Sequence, residues 1–78
     1  MLKDWKKIVD KGVQVKFKNT KTKEIIIGVK DKMTFGGWHW VPVHGGHRPD
    51  AYHLIAGLSC MPTKESIILE LKKYMRNN

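Results

Sequence analysis

One cysteine, three prolines and two arginines are all that this 78-residue sequence has of the residues that staple a fold, break it, or grip a phosphate with a rigid fork. Cys60 stands alone, so no internal disulfide can form. Neither a CxxC pair nor an HExxH motif occurs, which removes the strongest sequence signals of a zinc site. No apolar run approaches the roughly 18 residues a membrane helix needs, and no stretch resembles a signal peptide. These absences lead us to expect a protein of the reducing cytoplasm with no membrane partner. Low-complexity sequence and internal repeats are missing too, and 41% of the residues are hydrophobic, so a folded chain rather than a disordered tail is expected. One compact α+β domain over residues 1–78 is what this length allows. A chain so short buries only about 60 to 65% of its unfolded surface, and forming a homo-oligomer is the cheapest supplement to its core.

Acidic residues are also scarce: seven Asp and Glu face fifteen Lys and Arg, for a net charge of +8. Such an excess favours association with phosphate or other anionic surfaces, although it also simply keeps a small globule soluble. The charge is unevenly spread. Residues 1–32 hold ten lysines and four acids, whereas residues 33–62 hold only Arg48 and Asp50. With thirteen lysines to two arginines, heavy bidentate reading of base edges is disfavoured, because the guanidinium is the group suited to it.

Leu2, Trp5, Ile8 and Val9 recur at helical spacing, with Asp4 in the first turn and Gly12 where a C-terminal cap belongs, which predicts a helix over 2–11. Val13, Val15 and Phe17 alternate with Gln14, Lys16 and Lys18 as a half-buried strand does. A turn at 19–22 leads to a second strand over 24–30, with Ile25, Ile27 and Val29 on one face and Glu24, Ile26, Gly28 and Lys30 on the other. The two strands should pair antiparallel. A third strand is expected over about 38–43, led in by Met33 to Phe35, and Pro42 suggests an edge. Residues 45–50 read as a loop, and 51–58 as either a helical turn or a short strand. Thr63 caps a final helix in which Ile67, Ile68, Leu71, Tyr74 and Met75 form the apolar stripe. The expected architecture is α+β: an N-terminal helix, at least three antiparallel strands, and a C-terminal helix packed on one sheet face.

The segment from Gly36 to Arg48 concentrates two of the three tryptophans and three of the four histidines between two glycine pairs. It is the expected working surface. With uninterrupted register, Trp38 and Trp40 point outward beside Gln14, Lys16, Lys18, Ile26 and Lys30, forming aromatic platforms among lysines. Rings stack on bases for about 1 to 3 kcal/mol each, and lysines attract the phosphates. With a bulge at Gly36 and Gly37, parity flips and both tryptophans enter the core. His44 and His47 flank Gly45 and Gly46, whose amides could form an anion-binding nest with Arg48 as its charge partner.

His39, His44, His47 and His53, with Asp50 and Cys60, make a zinc site conceivable, yet their spacing is unspecific and no metal or cofactor is expected. A histidine base with a lysine or Arg48 would give the outline of a metal-independent ribonuclease. The order helix, three strands, helix resembles the double-stranded-RNA-binding fold and the small messenger-RNA-interferase toxins that share it. Those toxins carry their catalytic histidine on an early strand after a glycine, whereas Gly37, Trp38 and His39 lie on the third strand here, so no catalytic residue carries over. The sequence therefore points to a non-catalytic binder of a nucleotide or single-stranded nucleic acid, such as a small phage-type inhibitor that sequesters its ligand. The slight charge of the aromatic segment itself leans this toward a nucleotide pocket. The competing expectation is a protein-interaction module whose tryptophans anchor an acidic protein partner.

Overall fold

A computed structural model of the chain describes residues 4–33, 37–45 and 53–77. Five strands, β1 (Trp5–Lys11), β2 (Gln14–Asn19), β3 (Ile25–Met33), β4 (Gly37–His44) and the two-residue β5 (His53–Leu54), form one antiparallel meander in sequence order. Among the described residues a single helix, α1 (Lys64–Asn77), packs across β3 and β4. The α+β class is as expected. The N-terminal helix is not.

Residues 5–11 are instead a strand, paired along its length with β2 and bulged at Ile8. Lys7 pairs with Phe17 and Val9 with Lys16, so Ile8 is an extra residue with no partner on β2. The bulge flips parity: Trp5 faces the helix side opposite Asn19, whereas Val9 faces away. A two-residue turn at Gly12 and Val13 then leads directly into β2, which leaves no room for a helix cap. With β1 a strand, the order of elements no longer matches the double-stranded-RNA-binding fold. Val13, expected in the core, sits in that turn and is exposed.

The β2–β3 hairpin forms as expected, but the opposite face of β3 supplies the core. Phe17 pairs with Ile26 and Val15 with Gly28, placing Ile26 beneath α1 and Ile25, Ile27 and Val29 on the far side. Gly28 decides this. A Cβ there would lie 3.2 Å from Ile67 and 3.1 Å from Val15, so the missing side chain is the notch into which the helix settles. The turn after β2 is held by buried Asn19, whose Oδ1 accepts the N–H groups of Lys21 at 2.8 Å and Thr22 at 3.0 Å. Met33 ends β3, and the rest of the segment expected to lead into the third strand, 34 and 35, lies outside the described residues.

Pro42 lies on the outer side of β4, where its missing N–H removes no bond to β3. On that outer side Trp40 exchanges two backbone bonds with Met61, at 2.7 and 2.8 Å, and Ile55 donates to the Pro42 carbonyl. The helix is capped as read: Thr63 Oγ1 accepts the Ser66 N–H at 3.1 Å. Ile67, Leu71 and Met75 enter a core with Trp5, Val15, Phe17, Ile26, Trp40 and Ile55. The start of α1 is tied to β1 by Lys64, which bonds the Asp10 carboxylate and the Lys11 carbonyl. Lys64, helped by Lys7, holds the Asp10 carboxyl down to about 2. From there α1 runs toward the opposite end of the sheet, where Tyr74 donates to Glu24.

Candidate functional site

The β3–β4 ladder outlasts the strands around it. β2 pairs with β3 only as far as Gln14 opposite Val29, and the β1–β2 turn reaches only to Lys30, whose N–H donates to the Val13 carbonyl. Three further pairs follow on β3 and β4: Asp31 with His39, Lys32 with Trp38, and Met33 with Gly37. They form a short ribbon projecting past the start of α1. Gly37, with φ of 101°, opens β4 in a conformation that suits glycine.

Alternation along this ribbon sorts its side chains. Lys30, Lys32, Trp38 and Trp40 share the face that carries α1, and Asp31 and His39 share the other. Trp40, bridged to Met61 and packed in the core with Ile55 and the helix residues, is 5% exposed, whereas Trp38, one pair further along the ribbon, is 59% exposed. Neither reading of the tryptophan pair survives whole. Pairing between β3 and β4 is uninterrupted, so both rings do lie beside Lys30, but Trp40 is buried in the core.

Lys16 and Lys18 lie on the face away from α1, apart from the tryptophans. Lys18 pairs there with Lys6, and Lys16 with Val9. This face is not uniformly open, since Val41 and Val43 on it are buried. Among the described residues, no carboxylate pairs with Lys6, Lys16, Lys18, Lys30 or Lys32. Asp31 does not offset Lys32, because its carboxylate faces the other side and accepts the Lys32 backbone N–H at 2.8 Å. Lys32 lies two residues beyond the expected end of the strand at Lys30, on the same alternation.

His44 lies at the far end of β4, six residues from Trp38, and belongs to a separate cluster. Its Nδ1 is 3.7 Å from Glu24 Oε2, the oxygen that accepts the Tyr74 hydroxyl, and its ring meets Tyr74 edge to face at 5.9 Å. Burial, with Glu24 as acceptor, pushes the Tyr74 phenol up to about 12. Trp5 packs edge-on against the same tyrosine, and its buried Nε1 has no hydrogen-bond acceptor among the described residues. The Gly45 amide is engaged rather than free for an anion, donating to the Ile25 carbonyl at 2.7 Å. Gly45 is needed for close approach, since a Cβ would fall 2.6 Å from Ile25 Cγ2. Gly46, His47 and Arg48, the remainder of the expected nest, lie outside the described residues.

Among the described residues, no three His, Cys, Asp or Glu side chains stand close enough to hold a metal ion. A shallow depression of about 390 Å³ is lined by Ala56, Gly57, Leu58, Lys73, Tyr74 and Asn77, none of them an expected ligand contact. Among the described residues, no helix is long and apolar enough to cross a membrane. No known protein family, curated protein or solved structure matches this chain.

Proposed function

We propose that the chain is a non-catalytic binding protein for a phosphate-bearing ligand, a nucleotide or single-stranded nucleic acid, and that the β3–β4 ribbon makes the contact. The observation that carries this reading is the exposure of Trp38 opposite Lys32 and diagonal to Lys30, with no carboxylate on their face of the ribbon. A large apolar ring left in water at the tip of a hairpin adds nothing to the core. Beside two cations it has the two parts such a ligand requires, a stacking surface for a base and charge for the phosphate. Lys6, Lys16 and Lys18 on the opposite face add to the general attraction without an aromatic partner. Like charges directly across a sheet destabilise it, so the Lys6 and Lys18 pair fits a surface that meets anions.

Trp38 fluorescence tests the reading. A nucleotide or oligonucleotide should quench it, and the change should vanish in Trp38→Phe, because Trp5 and Trp40 are buried. Unchanged emission across a panel of both would sink the proposal and favour the exposed indole as a hot spot for an acidic protein partner.

A further inference from the structure

Granting that Trp38 meets a phosphate-bearing ligand, the ribbon's shape narrows the class. We infer that the ligand is single-stranded nucleic acid, held over about two to three nucleotides, with one base stacked on Trp38 and successive phosphates at Lys30 and Lys32. Lys32 and Trp38 form a direct cross-strand pair, whose Cβ atoms stand about 4.5 to 5.5 Å apart, and Lys30 sits on the diagonal at about 7 to 8 Å. Both lysine side chains therefore leave the sheet on the face that carries the indole. Along β3, Lys30 and Lys32 are two residues apart on one face, a separation of about 6.7 Å. That spacing suits neighbouring phosphates of an extended strand.

A duplex fits poorly. Its bases are already stacked on both faces and offer only edges to a protein, so the exposed indole would have nothing to cover. A mononucleotide fits poorly for a different reason. Small-ligand sites bury about 70 to 90% of the ligand in a concavity, whereas the described part of the ribbon projects and presents one flat ring. The contacts also predict tolerance of sequence: lysines are point charges without the fork that reads base edges, and every base has a face to stack.

The test is fluorescence anisotropy of a labelled oligothymidylate of about twelve residues, with thymidine monophosphate and a duplex of the same length as competitors. We expect the single strand to bind, the duplex to compete more weakly, and the monophosphate to compete only at concentrations about 100-fold higher. Trp38→Ala should weaken binding about 5- to 150-fold, the equivalent of one lost stacking contact. Two phosphate contacts set a salt slope of about −1.4 from this patch, and Lys32→Gln should reduce its magnitude by about 0.7. Lys21→Gln, in the exposed β2–β3 turn, should change little. Equal competition by the monophosphate, or duplex binding as tight as the single strand and indifferent to Trp38→Ala, would overturn the single-strand inference while leaving a phosphate-bearing ligand in place. Binding of none of the three would remove both.

Discussion

Two tryptophans, two residues apart on one face of one strand, should differ sharply in what they contribute to stability. Trp40 is 5% exposed within the core, and Trp38 is 59% exposed on the ribbon. Truncating a buried tryptophan to alanine costs about 3 to 5 kcal/mol in lost burial and residual cavity. A chain of this length has about 4 to 12 kcal/mol of stability in total, so Trp40→Ala should leave the fold marginal. Trp38→Ala should stay within about 0.5 kcal/mol of the parent, as surface substitutions do. Urea unfolding followed by far-UV circular dichroism measures both. With a slope near 1 kcal/mol per molar urea for a small protein, Trp40→Ala should move the midpoint down by about 3 to 5 M, or leave no folded baseline. Trp40→Phe retains a ring and should give a smaller, measurable loss. Iodide quenching supplies a second readout, because most accessible emission should disappear in Trp38→Ala. A loss above about 1 kcal/mol in Trp38→Ala, or no more than that in Trp40→Ala, would refute the assignment of these rings to surface and core.

Other consequences can be measured in the same way. Gly28→Val should destabilise by about 1 to 3 kcal/mol, because its side chain enters space already held by Ile67 and Val15, and thermal unfolding would register the loss. Buried Glu70 accepts from Lys73 at 2.7 Å and from the Ser59 N–H at 3.1 Å, and Lys73 first, then Ser59, lowers its carboxyl below the ordinary range. Its contribution is therefore present above the ordinary glutamate range and lost as pH falls through the lowered value, so Glu70→Gln should flatten the acid limb of a stability profile. Tyr74, pushed up to about 12, contributes on the alkaline side: its share is intact below the ordinary tyrosine value of 10.0 and disappears as pH rises through the raised one. Ultraviolet titration should show a phenol still protonated at about pH 11, and that late step should be absent in Tyr74→Phe.

The C-terminal helix was legible because its signals are local: Thr63 bonds the first turn, and Ile67, Leu71 and Met75 repeat at the helical period. The β2–β3 hairpin was legible for the same reason. What failed depended on partners distant in sequence. Trp5 and Val9 are spaced as on one face of a helix, yet the bulge at Ile8 sets them on opposite faces of β1, and only pairing with β2 reveals this. The buried face of β3 carries fewer apolar residues than the far face, and the choice between them was made by the fit of Ile67 over Gly28. The site divided along similar lines. Trp38 and Lys30 were correctly read as neighbours from strand alternation, but the burial of Trp40 required knowing where α1 begins over the sheet. The separation of Lys16 and Lys18 from the tryptophans follows from the same inverted face of β3.

The irregularity at Ile8 also governs how copies of the chain can meet. Among the described residues β1 is an outermost strand of the sheet, and a long flat edge of that kind is a template for pairing with another molecule and for fibril growth. Ile8 interrupts the run of backbone groups a neighbour would need, and exposed Lys6, Lys7 and Lys11 would bring positive charge against positive charge if two such edges aligned. Straightening the edge by deleting Ile8 would restore an even ladder at the expense of that protection. The bulge thus disfavours pairing between two β1 edges as much as it shapes the folded chain.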